Sequence, residues 1–193
     1  GLHPTSVKEN YKEELEFVVE SINKYHFVAI GEIGIDLYWD KTYLKQQQEA
    51  FRVQIKLAVE HNLPIVIHCR EAFDESFEIL DKENCSKLRG VFHCFTGTLE
   101  QASRAIRLGF KLGIGGVVTF KNGGIDKFLD QIDLKHIVLE TDSPYLAPVP
   151  YRGKRNESSY IIYVLKKLSE IYGISNEKIA EITSENAEKL FKL

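Results

Sequence analysis

Several features that mark special classes of protein are absent from this sequence. Its 193 residues include no methionine, and the three cysteines, Cys69, Cys85 and Cys94, form no CxxC pair. An odd number of cysteines without a close pair favours a reduced setting, and we expect a cytoplasmic protein. No apolar run approaches the ~18 residues that span a bilayer, and no signal-peptide pattern opens the chain, so no membrane partner is expected.

The sequence also lacks an excess of positive charge, since 25 lysines and arginines stand against 28 acids and the formal net charge is -3. Such a balance gives no global signature of a nucleic-acid binder. Nucleic acid stays open as a substrate, because an enzyme needs only a local basic groove and can use bound cations. The composition is otherwise that of an ordinary globular chain, long enough for one sizeable core.

Short, nearly continuous apolar segments predict five strands that are buried on both faces, as parallel strands are. They span residues 27–35, 64–69, 90–95, 110–118 and 136–142. Amphipathic spacing and capping signals predict helices between and after them, over 8–25, 42–61 and 98–108, with two or three more from 160 to 193. No linker divides the chain, so this alternation predicts a single α/β domain over 1–193 with a parallel sheet.

Four of these strands carry a metal-binding type of residue at or near the carboxyl end. These residues are Glu32, His68, His93 and Asp142. Active sites of parallel α/β proteins are built at this edge of the sheet. Histidine and carboxylate ligands together suit zinc or manganese, and the carboxylates also accept magnesium.

Each of the four residues also has a purely structural interpretation. A lone histidine in a strand is more often a hydrogen-bonded core residue than a ligand. Glu32 could form an ion pair with Arg70, and Asp142 could simply begin a turn. The joint pattern favours a metal site, because charged residues are rarely buried without partners.

The cysteines are predicted to be packing residues. Side chains alternate along a strand, so Cys69 and Cys94 should point away from the face of His68 and His93, toward the helices. Cys85 lies in the polar segment "KENCSK" and has no predicted role.

Arg70 shares the face of His68, where its guanidinium could bind a phosphate or carboxylate. It could equally pair with Asp74 or Glu71. The segment 151–157, "YRGKRNE", is the one local basic cluster, and it is either a set of phosphate donors or a solvated loop. The glycines of "GIGG", 113–116, allow a ligand to approach closely or serve strand curvature.

Several short motifs of the sequence resemble those of a known family. They are "GLHP" (1–4), "GEIGID" (31–36), "IHCRE" (67–71), "FHCFTG" (92–97), "GIGG" with "VTFK" (113–121), "LETDSPYLAP" (139–148) and "RGKRNE" (152–157). In this order they resemble the TatD family of metal-dependent hydrolases, within the amidohydrolase-like barrels. The resemblance covers essentially the whole chain, and "ETDSPYLAP" with "FHCFTG" is a highly specific combination.

The resemblance implies a (β/α)8 TIM-type barrel with one or two divalent ions (Mg, Mn or Zn), and hydrolysis of phosphodiester bonds in DNA, often exonucleolytic. It implies that the four strand-end residues are metal ligands. Glu32 would bridge two ions, and Asp142 would also take a proton from the nucleophilic water; these two are the predicted catalytic residues. Such chemistry agrees with the way in which metals acidify water.

A DNA substrate, as a single strand or a strand end, would need phosphate contacts. The predicted ones are Arg70, Arg152, Lys154 and Arg155. Tyr38 or Trp39 at the rim could stack on a base.

The sequence departs from the family at one point. The family's first strand carries a His-x-His pair, which is absent here, and "GLHP" resembles the end of the third strand. The five predicted strands would then be the fourth to eighth, and we expect the C-terminal portion of a longer barrel.

Two other functions stay open at this point. The same scaffold could hydrolyse an amide or ester, such as the aminoacyl linkage of a tRNA, because function belongs to the site and not to the fold. A metal-free interaction module is the other alternative, and it would require a native chain without the His-x-His pair.

Overall fold

The computed structural model describes residues 1–193, in which strands and helices alternate. The strands are β1 (Ile30–Asp36), β2 (Ile65–Arg70), β3 (Gly90–Phe92), β4 (Phe110–Ile114) and β5 (Ile137–Leu139). The helices are α1 (Tyr11–Lys24), α2 (Leu44–Glu60), α3 (Phe73–Lys82), α4 (Leu99–Arg107), α5 (Ile161–Tyr172) and α6 (Asn176–Phe191). The sheet order is β1-β2-β3-β4-β5, and the pairs β1–β2, β2–β3 and β4–β5 are parallel. The predicted α/β fold with a five-stranded parallel sheet is confirmed.

The residues form two compact units, the first comprising Gly1–Phe92 with Leu108–Phe110. Its core contains the apolar side chains of β1 and β2, such as Ile33 and Ile67, which are fully buried. Helix α2 buries Phe51 and Ile55, four residues apart, as an amphipathic helix does. The β1–β2 register places Gly34 beside His68.

The second unit comprises His93–Arg107 with Lys111–Leu193. Within it β4 pairs with β5 through Gly113 opposite Val138. The Asn186 side chain of α6 donates hydrogen bonds to the carbonyls of Leu134 and Ile137, at 2.7 and 2.8 Å. These bonds fasten the last helix to the start of β5.

The structure corrects the predicted ends of three strands. The strands predicted over 90–95, 110–118 and 136–142 stop at residues 92, 114 and 139. Cys94 and Asp142 have positive φ angles of 42° and 52°, which a strand does not accommodate. Residues Gly116–Thr119 form a 3-10 turn instead of extending β4. His93 and Asp142 therefore lie in loops just beyond the strands.

Helix α3 was not predicted, although the helices at 8–25, 42–61 and 98–108 are confirmed to within three residues. Its apolar side chains Phe77, Ile79 and Leu80 are buried, among acids and a lysine. None of the helices combines the length and apolar character needed to cross a membrane.

Candidate metal centre

In the first unit, three side chains bring possible metal-ligand atoms within 4.8 Å of one another: His3, Glu32 and His68. Glu32 Oε2 lies 3.6 Å from His3 Nε2 and 3.8 Å from His68 Nδ1. The two imidazole rings meet edge to face, with centroids 4.5 Å apart. Two of the predicted site residues, Glu32 and His68, are thus neighbours.

Close approach of β1 to β2 supports this cluster. Gly34 has φ +137°, and a Cβ there would lie 2.1 Å from the carbonyl oxygen of His68. Only glycine fits, because this contact is shorter than any van der Waals separation and the φ angle disfavours L side chains.

Asp36 sets the orientation of the His68 ring. Its Oδ2 lies 2.8 Å from His68 Nε2, and its side chain is only 1% exposed. An ionised carboxylate only accepts hydrogen bonds, so the ring proton lies on Nε2 and the lone pair on Nδ1, toward Glu32. Burial lowers the pKa of His68, which favours the neutral ring that binds metals.

His3 differs from His68 in its hydrogen bonding. The backbone N–H of Thr5 donates to His3 Nδ1 at 3.2 Å. The proton of a neutral His3 ring then lies on Nε2, facing Glu32. In this tautomer His3 is a donor toward the Glu32 carboxylate.

The second unit holds the other two predicted residues, His93 and Asp142. His93 Nε2 lies 3.4 Å from Asp142 Oδ1, and His93 Nδ1 lies 2.8 Å from Glu140 Oε2. Glu140 Oε1 also accepts the backbone N–H of Cys94, at 2.9 Å. Glu140 therefore holds the Nδ1 proton of His93 and leaves the Nε2 lone pair toward Asp142, as Asp36 does for His68.

Buried Asn156 holds the loop that carries Asp142. Its side-chain amide donates hydrogen bonds to the carbonyls of Thr141 and Tyr145, which flank Asp142. The N–H of Tyr145 donates to the Asp142 carbonyl at 2.8 Å. The positive φ of Asp142 is thus supported on both sides.

Both clusters fit a divalent ion. Two atoms that bind one ion at about 2.1 Å lie roughly 3.0–3.5 Å apart. The 3.4 Å between His93 Nε2 and Asp142 Oδ1 falls in this range, and the 3.8 Å between His68 Nδ1 and Glu32 Oε2 lies just above it. His3 would add a third ligand to the first cluster only in its other tautomer, in which Nε2 carries no proton. In each cluster a carboxylate also holds the far nitrogen of a histidine, as is usual for metal-binding histidines.

The predicted phosphate contacts lie in two places. In the first unit, the Arg70 guanidinium lies 3.7 Å from the Tyr38 ring centroid. In the second, Arg152 lies 3.7 Å from the Phe120 centroid and lines a cavity of about 640 Å³ together with Lys121. Lys154 and Arg155 are exposed on the same loop as Arg152.

The outcome for the two cysteines differs. Cys69 Sγ accepts a hydrogen bond from Ser76 of α3 at 3.6 Å, which confirms that it faces a helix. Burial raises the pKa of its thiol to about 12, so Cys69 supplies no thiolate near neutral pH. The strand prediction for Cys94 was wrong, because β3 ends at Phe92.

Three members of these clusters were not predicted from the sequence: His3, Asp36 and Glu140. A signal for the two acids was present, because Asp36 shares the alternation of Glu32, and Glu140 that of Asp142. His3 lies outside any strand, in "GLHP", where periodicity gives no signal.

A parallel α/β fold with histidine–carboxylate clusters at or just beyond its strand ends defines a metal-dependent hydrolase of the TIM-barrel type. The chain matches the family described as TatD related DNase over residues 1–192. The chain belongs to this family, as the sequence motifs predict.

The relatives agree with this class. The chain is 43% identical to the uncharacterized metal-dependent hydrolase YabD of Bacillus subtilis (strain 168), over 100% of this chain and 76% of YabD. It is 34% identical to the 3'-5' ssDNA/RNA exonuclease TatD of Pantoea ananatis (strain LMG 20103), over 100% and 76% of the two chains.

Solved structures give the same assignment. YJJV, a TatD homolog from Escherichia coli K12, superposes with a TM-score of 0.89 at 30% identity, covering 100% of this chain and 75% of its own. A TatD family hydrolase from Entamoeba histolytica gives 0.77 at 25% identity, covering 95% and 69%.

Proposed function

We propose that this protein is a metal-dependent deoxyribonuclease, which cleaves phosphodiester bonds near the end of a single DNA strand. The observation that carries the proposal is the pair of histidines, His68 and His93. Each has one nitrogen held by a buried or half-buried carboxylate and the other turned toward a second acid. The nuclease activity printed for the Pantoea relative supports DNA as the substrate class.

In this proposal each cluster supplies metal ligands, Glu32 and His68 from the first unit and His93 and Asp142 from the second. Mixed imidazole and carboxylate ligands suit Mn²⁺ or Zn²⁺, and Mg²⁺ accepts the carboxylates. A divalent ion, when bound, makes water more acidic and stabilises negative charge on the phosphate oxygens.

The chain's own residues have separate tasks in the reaction. Asp142 accepts a proton from the attacking water; its side chain is part-exposed and reaches His93 through one oxygen. Glu32, on β1, directs its carboxylate toward the rings of His3 and His68. Asp36 and Glu140 keep the two imidazoles in the tautomer that leaves a lone pair for the metal.

The substrate's phosphates would be bound by Arg70, Arg152, Lys154 and Arg155. A guanidinium stacked on a ring keeps its in-plane N–H donors available for a phosphate. Arg152, stacked on Phe120, offers these donors at the wall of the cavity that Lys121 also lines. A cytoplasmic location and a single-domain organisation stay predictions beside this function.

The test is hydrolysis of an end-labelled single-stranded oligodeoxynucleotide with Mg²⁺ or Mn²⁺, with and without EDTA. We expect cleavage that EDTA abolishes, and a loss of about 10²–10⁴-fold in Asp142→Asn, because an amide cannot accept the proton. Asp130→Asn, an exposed acid on a 3-10 turn, is the matched control and should cleave like wild type.

Full activity of Asp142→Asn would contradict the assigned base. A metal-loaded protein that leaves DNA intact would contradict the nuclease, and ester and amide substrates would then be tried in the same assay.

A further inference from the structure

An exposed aromatic pair follows β1 directly. Tyr38 is 48% exposed and Trp39, the single tryptophan of the chain, is 70% exposed. An indole left this far in solvent contributes little to the core, since its stabilisation would come from burial. The exposure therefore points to a role in binding.

The two rings are held in a fixed arrangement. They meet edge to face, with centroids 4.8 Å apart and an interplanar angle of 88°. The Arg70 guanidinium lies 3.7 Å from the Tyr38 centroid and 5.4 Å from that of Trp39. Arg70 thus braces the pair by cation–π contacts, so that little ordering is needed when a ligand binds.

Asp36 connects the aromatic pair to the metal cluster of the same unit. One of its oxygens accepts the backbone N–H groups of Tyr38 and Trp39, at 3.0 and 3.2 Å. Its other oxygen holds His68 at 2.8 Å. A ligand on the indole is therefore positioned relative to His68 through one buried carboxylate.

The chemistry of Tyr38, Trp39 and Arg70 indicates which kind of ligand binds there. An aromatic face with a guanidinium beside it is what proteins use to bind single-stranded nucleic acid, where each base stacks and each phosphate meets a cation. An apolar protein segment would gain nothing from Arg70 at this position, because it would cover the charge without pairing it.

We propose that the indole of Trp39 is a stacking site for an unpaired base of the substrate strand, with Tyr38 and Arg70 holding it in place. The inference rests on the proposed function for its substrate class and adds a base subsite to it.

Trp39 supplies its own probe, since no other tryptophan contributes fluorescence. Asp142→Asn protein with Mg²⁺ is titrated with a short oligodeoxynucleotide and with an abasic oligomer of equal phosphate number, and strand integrity is checked on a gel. We expect the oligonucleotide to quench the fluorescence and the abasic oligomer to leave it nearly unchanged, because only a base can stack.

Binding of a labelled oligonucleotide, followed by anisotropy, tests the side chain itself. Trp39→Leu should bind about 5–150-fold more weakly, whereas Trp39→Phe, which keeps a ring, should retain most of the affinity. Phe17→Leu, which removes a 67%-exposed ring from α1, is the matched control and should bind like wild type.

Equal quenching by the abasic oligomer, or wild-type affinity in Trp39→Leu, would overturn the stacking site. The two proposals fail separately. DNA cleavage with unchanged binding in Trp39→Leu would leave the nuclease intact and remove the subsite. Base-dependent quenching in a metal-loaded wild-type protein that does not cleave DNA would do the reverse.

Discussion

At the scale of single residues, two carboxylates decide which nitrogen of each site histidine is available. Asp36 holds Nε2 of His68, and Glu140 holds Nδ1 of His93. The nitrogens that remain face Glu32 and Asp142. The same residue type thus presents different ring atoms in the two clusters, according to where its carboxylate partner lies.

Asp36→Asn should weaken metal binding about 10–100-fold. The new amide can donate to His68 Nε2, which would move the ring proton to Nδ1 and remove the lone pair that faces Glu32. Titration calorimetry of the metal-free protein with Mn²⁺ measures the change. Asp40→Asn, an exposed acid in the following loop, is the control. Equal affinities in Asp36→Asn and wild type would show that Asp36 does not orient the ring.

The sequence predicts some of these residues and not others for a physical reason. Glu32 and His68 belong to strands whose apolar neighbours make them conspicuous. His93 and Asp142 were identified although their strands end earlier than expected. Contacts made by a residue outside any regular element, such as His3 with Glu32, depend on tertiary folding and leave no periodic trace.

At the scale of elements, apolar runs predict where strands form but not where they stop. Strands β3 and β5 end where they do because Cys94 and Asp142 take positive φ angles. Two hydrogen bonds support these turns: the Cys94 N–H donates to Glu140, and the Asn156 amide donates to the Thr141 carbonyl beside Asp142. These bonds join residues far apart in sequence, 46 positions in the case of Cys94 and Glu140. Local propensity therefore cannot supply the strand ends.

Gly34→Ala tests the close approach of β1 and β2. Glycine with a positive φ costs about 1–2 kcal/mol to replace on conformational grounds alone. Gly173→Ala gives this cost alone, because Gly173 has φ +65°, in the left-handed region, and nothing within 4 Å of an added Cβ. At Gly34 the φ of +137° lies outside that region, and the added Cβ would also strike the His68 carbonyl oxygen, at 2.1 Å.

The free energy of unfolding, measured in urea, should therefore fall clearly further in Gly34→Ala than in Gly173→Ala. Equal losses in the two variants would show that β1 and β2 are not packed this closely beside His68.

At the scale of the whole molecule, a net charge of -3 gives no general attraction to nucleic acid. In the proposed function, binding of a strand therefore depends on local groups. The guanidiniums of Arg70 and Arg152, one in each unit, are the proposed phosphate contacts, and each lies over an aromatic ring. The family could be predicted from the sequence because the sequence motifs contain most of the residues at the strand ends. The hydrogen bonds that orient these residues could not be predicted in this way.

The proposed function requires that His68 and His93 bind metal. Elemental analysis of wild type, His68→Ala, His93→Ala and His26→Ala, after loading with Mn²⁺ and gel filtration, measures this directly. His26 is exposed and lies between α1 and β1, which makes it the matched control. We predict bound metal in wild type and His26→Ala and reduced occupancy in both site variants. Unchanged occupancy in His68→Ala and His93→Ala would show that these histidines do not bind metal.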